Sequence, residues 1–107
     1  MTVKILRGKP DSRIDSIVDA LSVFQVTHKS AEITVYRQNS VSIRVRIVDS
    51  DFKGLSRTQR SEQVWPFFEA LADEVQSEIS TLLLLTPGEQ AASFANYEFE
   101  YPVPSSL

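Results

Sequence analysis

Between Ala31 and Ile47 the chain alternates apolar and polar residues in two runs, with Asn39-Ser40 between them. In the first run, Ala31 to Gln38, Ile33 and Val35 fall opposite Thr34 and Tyr36. In the second, Val41, Ile43, Val45 and Ile47 fall opposite Ser42, Arg44 and Arg46. Successive side chains of a strand point to opposite faces, so each run predicts a strand with one apolar face. Asn39-Ser40 supplies a tight turn, and the two strands form an antiparallel hairpin. A sheet with one apolar face needs a covering layer, and the rest of the chain must provide it.

Residues 12–25 meet that need. Ile14, Ile17, Val18, Leu21 and Phe24 recur at helical spacing, with Arg13, Asp15 and Asp19 outside and Asp11 or Ser12 as the cap. Ahead of this helix, Thr2 to Leu6 reads as a short β segment ended by Gly8 and Pro10. After the hairpin comes a loop over 49–55. Ser56 then caps a helical turn over Arg57 to Arg60, and a longer helix would bury Val64, Phe67, Phe68, Leu71, Ala72 and Val75. Pro66 lacks an N–H and clashes with the preceding turn, so a break is expected near Trp65-Pro66. Ile79 to Thr86 reads as a third strand ended by Pro87-Gly88. Tyr97, Phe99, Tyr101 and Val103 alternate with Glu98, Glu100 and Pro102 as an extra C-terminal edge strand.

A chain of 107 residues suits one domain over 1–107. The longest apolar run, Leu82 to Leu85, is far short of the roughly 20 residues that cross a bilayer, and the N-terminus has no secretory core. No membrane association and a cytoplasmic location are the expectation. With no Cys and a single His28, thiolate chemistry and Cys-held metal are excluded, and no metal site or resident cofactor is expected. The net charge of −3 conceals a division: residues 29–60 hold seven Lys or Arg against three acids, whereas residues 61–107 hold eight acids and no basic residue.

No arrangement of residues marks an enzyme. Asp49 and Asp51 form a carboxylate pair that a turn would bring near Glu78, yet no base or nucleophile accompanies them, and satisfying free N–H groups at the strand-to-helix handover is their expected work. Binding has better candidates. Lys53, Arg57 and Arg60 follow the second strand while Arg44 and Arg46 precede the loop, and together they would form one basic region able to hold phosphates of DNA or RNA. Trp65 stands beside Phe67 and Phe68, and a helix cannot aim all three at one core, so Trp65 is a candidate anchor for a protein partner. Phe52 is expected in the core, Gly54 at a backbone bend and Ser56 at the helix cap. The C-terminal strand is a candidate surface for homodimerisation.

The succession Val45-Arg46-Ile47-Val48, Phe52-Lys53-Gly54, Ser56, Arg60 and Val64, closed by "TLLLLTPGE" with Thr86-Pro87, resembles the BolA-like family over about residues 12–89. The resemblance implies an α+β fold of order α-β-β-α-α-β, class II KH-like, with a three-stranded mixed sheet packed on helices. It also implies a non-enzymatic adaptor or regulator, with a monothiol glutaredoxin as partner and an iron-sulphur cluster shared with it. A nucleic-acid-binding, transcriptional role in stress response is the alternative that it admits. Two departures bear on this. A histidine usual after the motif arginine is replaced by Ser61, and the family's C-terminal histidine, implicated in holding the cluster, is replaced by Glu78. A carboxylate is a harder and much less usual ligand for cluster iron than imidazole, which puts standard ligation in doubt. His28 would substitute only if its loop approached Glu78. The loop also lacks the second glycine of a KH loop, since it reads Gly54-Leu55-Ser56-Arg57.

Overall fold

The hairpin forms as its alternation dictates. In the computed structural model, which describes residues 3–5 (backbone), 12–93, 96, 97 and 99, β2 (Glu32–Asn39) pairs antiparallel with β3 (Ser42–Val48). Ile33 stands opposite Ile47 and Val35 opposite Val45 on one face, while Thr34 meets Arg46 and Tyr36 meets Arg44 on the other. The Asn39 side chain accepts a 2.9 Å hydrogen bond from the Val41 N–H, which tightens the turn. Val41 therefore sits in the turn, exposed, and the buried alternation begins at Ile43.

Two more strands complete a mixed sheet of order β1-β2-β3-β4. β4 (Ile79–Leu85) runs parallel to β3, with Val45 opposite Leu82 and Ile47 opposite Leu84. β1 (Val3–Ile5) runs parallel to β2 on the other side. The three strands expected from the sequence form the centre and one edge of this sheet, and the added strand comes from the N-terminal segment.

α1 (Ser12–Thr27) lies over the apolar face and extends two residues beyond its expected end. Ile14, Ile17, Leu21 and Phe24 are buried against Ile33, Val35, Ile43, Val45 and Ile47. Gln25 donates from Nε2 to the Ala31 carbonyl at 2.9 Å, closing the turn into β2. Phe52, Val64, Phe68 and Val75 complete the core.

The segment between β3 and β4 is more broken than a helix pair with a kink. α2 (Arg57–Val64) ends at the residue before Trp65, a 3-10 turn covers Trp65–Phe67, and α3 (Asp73–Glu78) begins only after a further turn. Pro66 explains the break, since it offers no N–H to continue α2. Of the stripe expected along one longer helix, Val64, Phe68 and Val75 are buried, Phe67 and Leu71 are partly covered, and Ala72 is exposed. Ala72 is the residue before α3, where its carbonyl accepts from the Val75 and Gln76 N–H groups.

β4 ends at Leu85, just before the Pro87-Gly88 expected to close it, and Pro87 then opens α4 (Pro87–Ala92), where its fixed φ suits the first helical turn and Thr86 caps it. One expectation for the C-terminal part is corrected. The expected edge strand through Tyr97 and Phe99 is absent there, because Asn96, Tyr97 and Phe99 have helical backbone. Homodimerisation through that strand loses its basis at these positions, and Tyr101 and Val103 lie outside the described residues. Phe99 turns inward instead. It is buried edge-on against Tyr36, at 4.9 Å between ring centroids, and so covers the second face of the sheet. Among the described residues no helix is long and apolar enough to cross a membrane.

Candidate partner-binding site

The loop from β3 to α2 is built by local hydrogen bonds. Asp49 is buried, and its Oδ1 accepts from the Asp51 N–H at 3.0 Å and from the Ser30 hydroxyl at 3.2 Å, capping a 3-10 turn over Ser50–Phe52. Its own N–H donates to the Leu85 carbonyl, tying the loop to the end of β4. Asp49 thus fills the expected N–H-satisfying role. Phe52 is fully buried, and Gly54 takes φ +81°, a conformation that side chains with a Cβ disfavour. The Ser56 hydroxyl accepts from the Gln59 N–H while the Gln59 side chain accepts from the Ser56 N–H, a reciprocal cap on α2.

The basic residues do not gather into one region. Arg60 is only 7% exposed and donates to the Leu55 and Leu84 carbonyls and, through both Nη atoms, to Glu89 at 2.6 and 3.1 Å. The Arg60 guanidinium, followed by the Thr86 N–H, holds the Glu89 carboxyl down at about 2. Arg44 and Arg46 lie on the sheet face under the C-terminal segment. Arg44 donates to the Tyr36 hydroxyl, and Arg46 donates to Asn96 at 2.7 Å and to Thr34 while its guanidinium stands 5.0 Å from the centre of the Phe99 ring. The residues around Asn96 and Phe99 that cover this face lie some fifty positions away in sequence. Lys53 and Arg57 alone of the five keep their charges exposed and outside any ion pair.

Glu78 is buried and clasped by two cations, Arg37 at 2.7 Å and Arg13. It precedes the first residue of β4, whereas Asp49 is bonded to the last. The seven-residue strand separates them by about 20 Å, so no carboxylate cluster forms. His28 lies beyond the far end of α1 from Arg13, about 22 Å along the helix axis. There its ring stacks on Phe24 at 4.0 Å and its Nδ1 approaches the Phe24 carbonyl. The Glu78–His28 pairing entertained from the sequence does not occur. Ser61 sits on α2, away from both. Each Glu78 oxygen meets one guanidinium, so the carboxylate is neutralised where it is buried. Among the described residues no group of three or more His, Cys, Asp or Glu is placed to hold a metal.

Arg57 and Ser61, one turn apart, form a ridge between two hollows. One, of about 590 Å³, is bordered by Trp65, Pro66 and Glu69. Trp65 is half-buried and packs edge-on to Phe68 at 5.4 Å, with its remaining surface toward this hollow. The other, of about 680 Å³, runs between α2 and α4 over β4, with Leu55 and Leu82 to Leu85 as its floor. Sequence reasoning missed this second hollow because no helix was expected after Pro87-Gly88, and α4 is one of its walls. Thr86 and Glu89, spaced as a capping pair, were the signal for α4.

No family model matches the sequence, and no curated protein matches it. A solved structure does. BolA1 from Arabidopsis thaliana superposes with a TM-score of 0.51 at 18% identity, over 75% of this chain and 98% of that one. At that identity the likeness speaks for architecture, and the architecture of this chain is the α+β, mixed-sheet arrangement of a BolA-like fold.

Proposed function

We propose that this protein is a non-enzymatic adaptor that binds a protein partner on its α2 side and contributes no iron ligand. The observation that carries the reading is the Arg57–Ser61 ridge, with a leucine-floored hollow on one side and a hollow rimmed by Trp65 on the other. Interfaces are anchored by aromatic and arginine side chains in such settings. The BolA-like fold suggests a monothiol glutaredoxin as the partner. The no-ligand part rests on Glu78 being a hard carboxylate already paired with Arg13 and Arg37.

The test is to titrate the purified protein into apo and cluster-loaded monothiol glutaredoxin, following heat of binding and visible circular dichroism together. Saturable binding to both forms, with the cluster bands unchanged, is expected. A changed cluster spectrum would overturn the no-ligand part, and absence of heat with both forms would overturn the glutaredoxin assignment.

A nucleic-acid reading draws support from Lys53, Gly54 and Arg57 at the exposed loop. Against it, Arg60 is neutralised by Glu89 and adds no net charge to attract phosphate. Single-stranded oligonucleotide binding that falls steeply with salt and is lost on replacing Lys53 and Arg57 would favour that alternative.

A further inference from the structure

β4 is the outermost strand of the described sheet on its side. Among the described residues no strand pairs with its outer edge. Backbone groups of successive strand residues point alternately to the two sides. The Leu85 carbonyl accepts from Asp49 on the β3 side, so Leu84 and Leu82 direct theirs outward. The Arg60 guanidinium confirms this by reaching the Leu84 carbonyl from outside at 2.9 Å. The N–H groups of Leu82 and Leu84 and the carbonyl of Leu82 are therefore presented to the groove between α2 and α4.

We propose that this edge of β4 receives an extended segment of a partner protein as an added strand, with apolar side chains on the leucine floor and a carboxylate against Arg57. The proposal rests on the adaptor reading and deepens it. An unpaired edge supplies main-chain donors and acceptors at strand spacing, and alternate side chains find a floor below them. The groove volume of about 680 Å³ is that of a cleft that encloses a short segment.

Charge selects among occupants. Among the described residues Arg57 is the groove's one cation outside an ion pair, and a carboxylate complements it. Because Arg60 is neutralised by Glu89, the groove offers a phosphate backbone no second free cation beside Arg57 among the described residues. A second copy is disfavoured by shape, because β4 is recessed between α2 and α4 and two recessed edges cannot meet.

The test uses the full chain, labelled with nitrogen-15, and a panel of blocked eight-residue peptides that alternate valine with threonine and carry one glutamate at varied positions. Binding is read by amide shifts and hydrogen exchange. Slowed exchange at the Leu82 and Leu84 amides is expected with at least one peptide. N-methylating the peptide amides of one alternate set should abolish binding, and methylating the other set should leave it. Arg57→Glu, which suits a helix N-terminus and so keeps the fold, should weaken binding about tenfold. Three outcomes overturn the proposal: no protection of these amides by any peptide, protection indifferent to the methylated register, or the same protection produced by raising the protein's own concentration, which would identify a second copy. Glutaredoxin binding with the Leu82 and Leu84 amides unprotected would remove strand addition and leave the adaptor reading standing. Loss of all partner binding would remove both.

Discussion

Glu89 joins three parts of the molecule with one carboxylate: Arg60 on α2, the Leu84 region of β4 that Arg60 also holds, and the Thr86 N–H at the start of α4. Its folded value of about 2 lies below its ordinary 4.5, so folding favours the ionised form. That contribution is present in full above about pH 4.5 and is lost as pH falls toward 2. Because the side chain is 46% exposed, water screens the pair and holds the contribution to about 1 kcal/mol. Glu89→Gln should therefore be less stable than the parent at neutral pH in urea unfolding, and the difference should shrink between pH 4.5 and pH 2. A difference independent of pH would refute the assignment. At Gly54 the effect is confined to the backbone, since an added Cβ would meet no atom within 4 Å while φ is +81°. Gly54→Ala should cost about 1 kcal/mol from the left-handed conformation alone, seen as a lower urea midpoint with the slope unchanged.

At the scale of elements, local patterns were legible and long-range covering was not. Ile14, Ile17, Leu21 and Phe24 located α1 because helical spacing needs no knowledge of the neighbour. The hairpin was legible for the same reason, and Ser56 announced α2. Pro66 marked the break but not its extent, since the turn through Phe68 and Leu71 depends on how both side chains reach the core. Pro87 marked the end of β4 but not the start of α4, because proline both stops strands and opens helices, and Glu89 three residues after Thr86 is the sign of the helix. That reading has a direct check. Thr86→Ala removes the hydroxyl that accepts from the Glu89 N–H at 3.3 Å but keeps the Thr86 backbone N–H that Glu89 accepts. It should cost about 1 kcal/mol at neutral pH and leave the acid-dependent part of stability in place. Loss of the acid-dependent part as well would tie the low Glu89 value to the cap instead of to Arg60.

Over the whole molecule, the sheet is covered on both sides, by α1 and its neighbours on one and by the chain around Asn96 and Phe99 on the other. Nothing in Thr34, Tyr36, Arg44 and Arg46 announces this, because an arginine-bearing strand face reads as solvated unless its distant cover is known. The Tyr36 hydroxyl donates to the Phe99 carbonyl at 2.8 Å across 63 positions of sequence. For the same reason the candidate site was only half legible: Arg57 and Trp65 were identified, but the fate of Arg60 depended on Glu89, 29 positions away. Phe99→Ala should destabilise the protein by about 3 kcal/mol by emptying the space beside Tyr36 and Arg46, measured by urea unfolding. A loss below about 1 kcal/mol would mean that the C-terminal cover contributes little.

The parallel pairing of β4 with β3 sets a clock. A two-residue turn closes the hairpin, whereas β4 reaches β3 only after the chain has looped from Val48 to Ile79, which is entropically slower. The Arg60 clasp on Leu84 and Glu89 is therefore expected to form on the late side of the folding barrier. Interactions made late govern escape from the native state more than arrival at it. Arg60→Met, followed by stopped-flow, should leave the refolding rate nearly unchanged and accelerate unfolding; an equal slowing of refolding would place the clasp in the folding nucleus. The clasp is thus a determinant of how long each folded molecule lasts, and it lies alongside the β4 edge that we propose a partner uses.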